Sequence, residues 1–375
     1  MQRENFDEDV KTAMIHNMSR PAIAHINLDH LDYNFRRLHQ FAGQADTMAV
    51  VKANAYGHGL NLVGPALFDS GCRHFGVTDA IEGCSLRQLV ADESNAEVTL
   101  LSGIFDGGDA ELAVQYQLTP TITESSQLDL LHHADFRGLV WIKVDTGMNR
   151  LGSNQPASLL AQCKRYGIGV RGVMSHLACA DTPEHPLNQQ QAEQFANIRA
   201  TFPSNLPASL LNSSGMISMP GHMLDVVRPG IALYGSEPIP DQPLGLKPVM
   251  QLTGAVMQIR EIPAGEQVSY GASFRASKTM CIAVISLGYA DGLPRGLSNR
   301  GHAFFAGQKL PIVGRVCMDY TMLDVTDVEI HPGDAVEFWG EHILANDVAR
   351  SLDTISYTLF TGIGARVQRL AVHSG

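Results

Sequence analysis

From Ala22 to Gly235, short apolar and β-branched runs alternate with amphipathic stretches. The runs are AIAHINLD (22–29), MAVVKANAY (48–56), HFGVTD (74–79), VTLLSG (98–103), LTPTIT (118–123), LVWIKVDTG (139–147), VRGVMSHL (170–177), SLLNSS (209–214) and VVRPGIALYG (226–235). Segments such as LDYNFRRLHQFA (31–42) and QQQAEQFANIRATF (189–202) between them carry the three- and four-residue apolar spacing of helices. Strands that are apolar throughout are buried on both faces, and their alternation with helices predicts a parallel sheet. About eight strand-helix units follow the first run, the number that closes a TIM-like (β/α)8 barrel. An open doubly wound sheet also fits the alternation, but no GxGxxG follows the first strand.

The pattern changes after about Gln251. Shorter alternating runs appear at 254–262, 281–289, 302–314, 321–328 and 334–340, punctuated by PAG, GLP and HPGD. This predicts a smaller all-β C-terminal domain. The 375 residues suit two domains. The expected division is 1–20 as a disordered N-terminal extension, 21–248 as the barrel and 249–375 as the β domain. Residues 1–20 are polar and aperiodic, and Met14 and Met18 offer alternative starts.

Composition narrows the partners. The net charge of −11, with no dense Lys/Arg run, disfavours nucleic acid and anionic membranes. Cys72, Cys84, Cys163, Cys179, Cys281 and Cys317 are scattered without a CxxC pair, which points to reduced thiols rather than a disulfide framework or a metal site. With no signal-peptide core and no apolar run of membrane-spanning length, the expected compartment is the cytoplasm.

Polar residues fall late in successive barrel runs: Lys52, Thr78, Ser102, Thr123, Asp145, His176, Asn212, Ser213 and Arg228. Barrel enzymes build their active sites at these strand ends. Lys52, in VVKANAYGHG (51–59), is an unusual residue to find there, because burying an ammonium is costly. It is either a lysine snorkelling at the rim or one whose lowered pKa lets its amine attack an aldehyde.

That string, together with IKVDTGMNRLG (142–152), SHLACAD (175–181), LNSS, VVRPGIALYG, VSYGASF (268–274), ISLGYADG (285–292) and GRVCMDYTMLDVTD (314–327), resembles the signatures of the alanine racemases, within the fold-type III pyridoxal-phosphate enzymes. The resemblance spans roughly residues 20 to 370. It implies that Lys52 carries the cofactor and that Tyr56, Ser213, Tyr357 and the N–H groups of Gly230 and Ile231 hold its phosphate, with Asn212 beside them. It also sets Arg228 against the ring nitrogen, where a permanent donor keeps that nitrogen unprotonated. His176 stacks near the ring and bonds Arg228. Arg150 contacts the cofactor hydroxyl and the substrate carboxylate, and Lys143 matches a lysine that several relatives carry as a carbamate.

In the β domain the resemblance implies that Tyr270 is the second acid/base, that the Met318 N–H binds the substrate carboxylate, and that Tyr289 and Asp319 line the access route. Tyr270 takes the α-proton from L-alanine and Lys52 takes it from D-alanine. Tyr270 needs a neighbour such as His176 or Arg228 to favour its phenolate, since tyrosine titrates near pH 10. The implied enzyme is a homodimer with active sites shared between subunits, supplying D-alanine for peptidoglycan or feeding D-alanine catabolism. Two alternatives are a fold-type III decarboxylase and a non-catalytic pyridoxal-phosphate carrier. Arg228 and the absence of a Gly-rich triplet argue against the first, and the second domain argues against the other.

Overall fold

The computed structural model describes residues 21–90 and 95–374; the expectation for residues 1–20 lies outside them. Two compact units are formed, one from residues 28–247 with 373–374 and one from residues 21–27 with 248–372.

In the first unit eight strands run parallel: β2 (Asp46–Val50), β3 (His74–Val77), β4 (Glu97–Leu100), β5 (Thr119–Ile122), β6 (Leu139–Lys143), β7 (Gly169–Met174), β8 (Ala208–Ser209) and β9 (Val226–Val227). Each pairs with the next from β2 to β8, and β2 also pairs with β9. A parallel bridge between Asn212 and Arg228, with the Arg228 N–H donating to the Leu211 carbonyl at 2.9 Å, closes the ring. Met48, Trp141, Met174 and Val226 pack together from four of these strands. Gly172 makes room for the indole, since a Cβ there would meet the Trp141 ring at 2.5 Å.

The run at 22–29 does not begin the barrel. As β1 (Ala22–Asn27) it lies in the other unit, between β10 (Met250–Ile262), antiparallel, and β18 (Gln368–Val372), parallel. Periodicity reports that a strand is buried and is silent about its partner. The first element of the barrel unit is instead the helix Leu28–Ala42, which buries Leu31, Phe35, Leu38 and Ala42. Its fully buried Asn34 donates to the Leu233 and Lys247 carbonyls and accepts from the Lys247 N–H.

The second unit is β-rich, as expected. Alongside β1, β10 and β18 it contains β11 (Gln267–Val268), β12 (Phe274–Arg275), β13 (Met280–Ile285), β14 (His302–Phe305), β15 (Gln308–Pro311), β16 (Thr321–Asp324) and β17 (Ala335–Trp339). β10 is its spine, pairing with β1, β13 and β17. Two short helices, Ala345–Ser351 and Ser356–Thr361, interrupt the β texture.

The amino end of the barrel carries a charged cluster. His74, 2% exposed, meets Asp46 Oδ2 at 3.1 Å and Glu97 Oε1 at 3.3 Å. Glu97 also accepts from Arg171 at 2.8 Å and from the Trp141 indole at 3.3 Å. Burial opposes the charge on His74, yet the hydrogen bonds it donates to Asp46 and Glu97 outweigh it and raise the pKa. Burial likewise works against the Glu97 carboxylate, but His74 and Arg171 hold it at about 2. The signs are opposite. The His74 contribution to stability is complete below its unfolded pKa of about 6.5 and is lost as pH rises through the raised folded value. The Glu97 contribution is complete above about 4.5 and is lost as pH falls toward 2. His74→Gln should therefore destabilise the protein by about 2–3 kcal/mol at pH 6, since Glu97 keeps Arg171 but loses a buried cation. Urea unfolding across pH 6 to 9 checks this: the deficit should shrink as pH rises, and a deficit independent of pH would contradict it.

Candidate active site

Immediately after β2 the chain turns left-handed. Ala53, Asn54, Ala55 and Tyr56 have φ of 53°, 54°, 53° and 52°. Side chains disfavour this conformation by roughly 1–2 kcal/mol per residue, so neighbours must hold it. They do so from several directions. The Val51 N–H donates to the Gly76 carbonyl at 2.8 Å, anchoring the turn to β3. Asn54 donates its N–H to Glu82 and accepts from the Leu60 N–H through Oδ1. Gly57 and Gly59 donate to the Ala53 and Asn54 carbonyls.

The reversal buries Tyr56 against Tyr234, with centroids 4.9 Å apart. Tyr234 stacks on His58 as well and donates to the Val50 carbonyl. The Tyr56 hydroxyl comes so near Gly230 that a Cβ there would lie 2.4 Å from it. The Gly230 N–H donates to Ser213 Oγ at 2.8 Å, and the Ala232 N–H lies 3.4 Å from the same oxygen. Gly230 thus gathers two hydroxyls and backbone amides from three chain segments. A nest of this kind suits a phosphate. Asn212 Oδ1 accepts from the Gly215 N–H at 2.8 Å, capping the short helix Ser213–Ser218 and fixing Ser213 at its start. Ile231, buried, opens the turn Ile231–Tyr234.

Arg228 follows β9 and is 5% exposed. It donates to Ser209 Oγ, to the Ser175 carbonyl, to the Leu210 carbonyl at 3.1 Å and to His176 Nδ1 at 3.3 Å. None of these partners is a carboxylate. Burial lowers the pKa only to about 10, so the guanidinium stays charged at neutral pH. His176 is pushed well below the usual imidazole range, by burial first and then by Arg228, Lys143, Arg150 and Lys52. It is therefore neutral and can accept from Arg228.

The other cations close the constellation. Lys143, the last residue of β6, is brought down to about 8 by burial and by the charges of Arg228, Arg150 and Lys52, against Asp145. Burial and then Arg150 lower the Lys52 pKa, against Glu82. Arg150 rides on a loop shaped by Asp145 Oδ1, which accepts from the N–H groups of Gly147, Met148 and Asn149. Sequence reasoning missed the neutral frame behind this group. The fully buried Gln191 donates to the His176 carbonyl and to Thr146 Oγ1 and accepts from the Ala178 N–H, and Thr146 Oγ1 meets Ser175 Oγ at 2.8 Å. Gln191 sits mid-helix on no motif, so nothing in the chain marked it.

The β unit carries Tyr270, Tyr289, Met318, Asp319 and Tyr357. Its motif segments converge on Cys317. Ser269, at φ 68°, donates to the Arg315 carbonyl and meets Cys317 Sγ at 3.3 Å. The Tyr289 N–H donates to the Cys317 carbonyl and the Ala290 N–H to that of Met318. This leaves Tyr270 72% exposed, with Met318, Tyr289 and Tyr320 exposed as well. Tyr357 lies on the helix Ser356–Thr361.

Family models for the alanine racemase N-terminal and C-terminal domains match residues 26–238 and 249–371. The chain belongs to the alanine racemase family. It is 38% identical over 367 residues to the alanine racemase of Rhizobium meliloti, covering 92% of this chain and 96% of that one. Identity to the catabolic alanine racemase of Agrobacterium fabrum is also 38%, over 93% and 92% of the two chains. The crystal structure of the Bartonella henselae alanine racemase with covalently bound pyridoxal phosphate superposes with a TM-score of 0.86 at 35% identity, covering 94% and 99%. Membership makes the chain an isomerase that interconverts L- and D-alanine with pyridoxal phosphate. The match through residues 249–371 sets aside a single-barrel carrier, and the racemase relatives set aside a decarboxylase.

The barrel residues fit that cofactor. A lysine of lowered pKa, an amide-and-hydroxyl nest around Gly230 and a charged donor without a carboxylate partner answer its aldehyde, phosphate and ring nitrogen. Because the nest depends on the missing Cβ, Gly230→Ala should displace Tyr56 and weaken cofactor binding about tenfold or more, the scale of one lost hydrogen bond to a charged group. Titration of the apoprotein with pyridoxal phosphate, followed by absorbance, checks this, and unchanged affinity would remove Gly230 from the phosphate site.

Proposed function

We propose that the chain racemises alanine with Lys52 and Tyr270 as opposed acid/base groups, its barrel holding the cofactor and its β unit completing the site of a second copy. The observation that carries the reading is the convergence of Lys52, Lys143, Arg150 and Arg228 on one end of the barrel, with no carboxylate among the described residues bonded to Arg228. Such a group of cations calls for an anionic ligand, and pyridoxal phosphate and an amino-acid carboxylate together supply the charge.

Bound pyridoxal phosphate acidifies the α-C–H of the amino acid joined to it. Lys52 Nζ holds the cofactor at rest, and its lowered pKa keeps the amine available as a base on one face of the α-carbon. Tyr270 Oη serves the other face. For L-alanine, Tyr270 Oη takes the proton and Lys52 Nζ returns one from the opposite side; for D-alanine the order reverses. Tyr56, Ser213, Tyr357 and the N–H groups of Gly230 and Ile231 take the phosphate, with Asn212 fixing Ser213. Arg228 donates to the ring nitrogen, which therefore stays unprotonated, and neutral His176 lies beside the ring.

Arg150 binds the cofactor hydroxyl and the substrate carboxylate. The Met318 N–H also meets that carboxylate, while Tyr289 and Asp319 line the approach. Lys143 is a candidate for carbamylation: at a pKa of about 8 a fraction of its amine is neutral at pH 7 and can take up carbon dioxide with release of a proton. A carbamate there would attract Arg150, where the ammonium repels it. The exposed Tyr270, Met318 and Tyr289 are the surface that a second subunit covers. Among the described residues no helix is long and apolar enough to cross a membrane, and we place the enzyme in the cytoplasm. There it supplies D-alanine for peptidoglycan or admits D-alanine to catabolism.

Lys52→Ala and Tyr270→Phe should each lower racemisation in a coupled D-alanine assay by about 10²–10⁴-fold, the usual contribution of a positioned acid or base. Mixing the two inactive proteins should restore part of the activity, because one site of each heterodimer regains both residues. No recovery after verified subunit exchange would contradict the shared site.

A further inference from the structure

Arg366 belongs to none of the motifs read from the sequence, yet it ties two of them together. It lies in the turn before β18, and its Nε donates to Asp291 Oδ1 at 2.7 Å. The same guanidinium reaches Asp319 Oδ1 at 2.7 Å and the Met318 carbonyl at 3.4 Å through Nη2. Asp291 is only 1% exposed, and its other oxygen accepts from the Gly288 N–H at 2.9 Å. One cation therefore spans the turn carrying Tyr289 and the turn carrying Met318 and Asp319.

The two turns meet closely beneath this bridge. The Tyr289 N–H donates to the Cys317 carbonyl at 2.9 Å and the Ala290 N–H to the Met318 carbonyl at 3.0 Å. A Cβ on Gly288 would lie 2.4 Å from the Met318 oxygen, so the contact admits no side chain there. The Met318 carbonyl faces donors from both sides, Ala290 and Arg366, which fixes the backbone at that residue. The planar guanidinium presents donors in a fixed fork, and this is what lets one side chain hold two carboxylates in register.

We propose that Arg366 is a positioning residue of the alanine pocket. By bridging Asp291 and Asp319 it sets the spacing between the Tyr289 turn and the Met318 backbone, and so the fit of the substrate's carboxylate and methyl group. This rests on the reading that the Met318 N–H meets the substrate carboxylate and that Tyr289 lines the approach, and it takes Tyr289 to border the methyl group as well. A residue that only stabilises the β unit would alter unfolding and leave the kinetic constants unchanged. A positioning residue changes substrate binding more than turnover, because the acid/base groups are elsewhere.

The test uses the holoenzyme. Arg366→Lys keeps the charge and loses the fork. It should raise KM for L-alanine and the inhibition constant of propionate together by about tenfold, the worth of a charge-assisted hydrogen bond. Turnover should fall by no more than about threefold, the cofactor absorbance should not change, and L-serine should gain relative to L-alanine as the pocket loosens. Asp291→Asn breaks the other arm at nearly constant shape and should give the same pattern, so the question remains answerable if one variant fails to fold. Unchanged KM and propionate inhibition in a folded variant, or a loss confined to turnover, would overturn the proposal. Tyr289→Ala separates the two levels of the argument. If it leaves KM and the serine-to-alanine ratio untouched, the reading of the pocket fails; if it shifts them while Arg366→Lys does not, only the role of Arg366 fails.

Discussion

Like charges placed close together constrain everything else in the barrel. Arg150 lies near enough to Lys52 to depress it, and Arg228, Arg150 and Lys52 near enough to Lys143 to do the same, while Asp145 and Glu82 are the acids that act against them on Lys143 and Lys52. The fold tolerates this in two ways. Arg228 is satisfied by hydroxyl, carbonyl and imidazole acceptors, so its charge is solvated without being neutralised. Lys143 and Lys52 yield by shifting toward the neutral amine. On the proposed reading an anionic cofactor and substrate would relieve the remaining repulsion and so link binding to stability in this end of the molecule.

The two ends of the barrel solve opposite problems. At the amino ends of the strands, His74, Asp46, Glu97 and Arg171 form matched pairs, and the shifted pKa values of His74, Asp46 and Glu97 add stability. At the carboxyl ends the cations are only partly offset by Asp145 and Glu82 and the backbone is strained, with four successive residues from Ala53 to Tyr56 in the left-handed region. Strain held in place by surrounding structure is typical of functional sites. Here it brings the Tyr56 hydroxyl against Gly230, where a right-handed turn would carry the chain elsewhere.

Much of this was legible in the chain. Apolar runs marked all eight barrel strands, because strands buried on both faces leave a continuous apolar trace. Their ends were overestimated: the run at 48–56 continues past β2 into the left-handed turn, and 226–235 passes β9 into the turn at Ile231–Tyr234. The overrun contains the chemistry, since the polar residues sit just beyond the pairing. β1 was placed in the wrong unit because its partner β18, with the pattern QRLAV, leaves only a weak apolar trace. The residues that support the site were not legible at all. Gln191, Ser175 and Ser209 act through backbone carbonyls and single hydroxyls, and Arg366 works across 75 residues to reach Asp291. Such contacts exist only after folding and leave no periodicity behind.

Arg228, a charged donor with no carboxylate partner among the described residues, is central to the proposed mechanism, and one measurement addresses its role directly. The Arg228→Glu protein, saturated with pyridoxal phosphate, is given L-alanine, and the pyruvate and pyridoxamine phosphate formed are compared with the D-alanine formed. A glutamate favours a protonated ring nitrogen, which draws charge into the ring and invites protonation at the cofactor carbon instead of the α-carbon. The ratio of transamination to racemisation should therefore rise well above that of the native protein, even as racemisation slows. A variant that binds the cofactor normally and keeps the native ratio would show that Arg228 does not face the ring nitrogen.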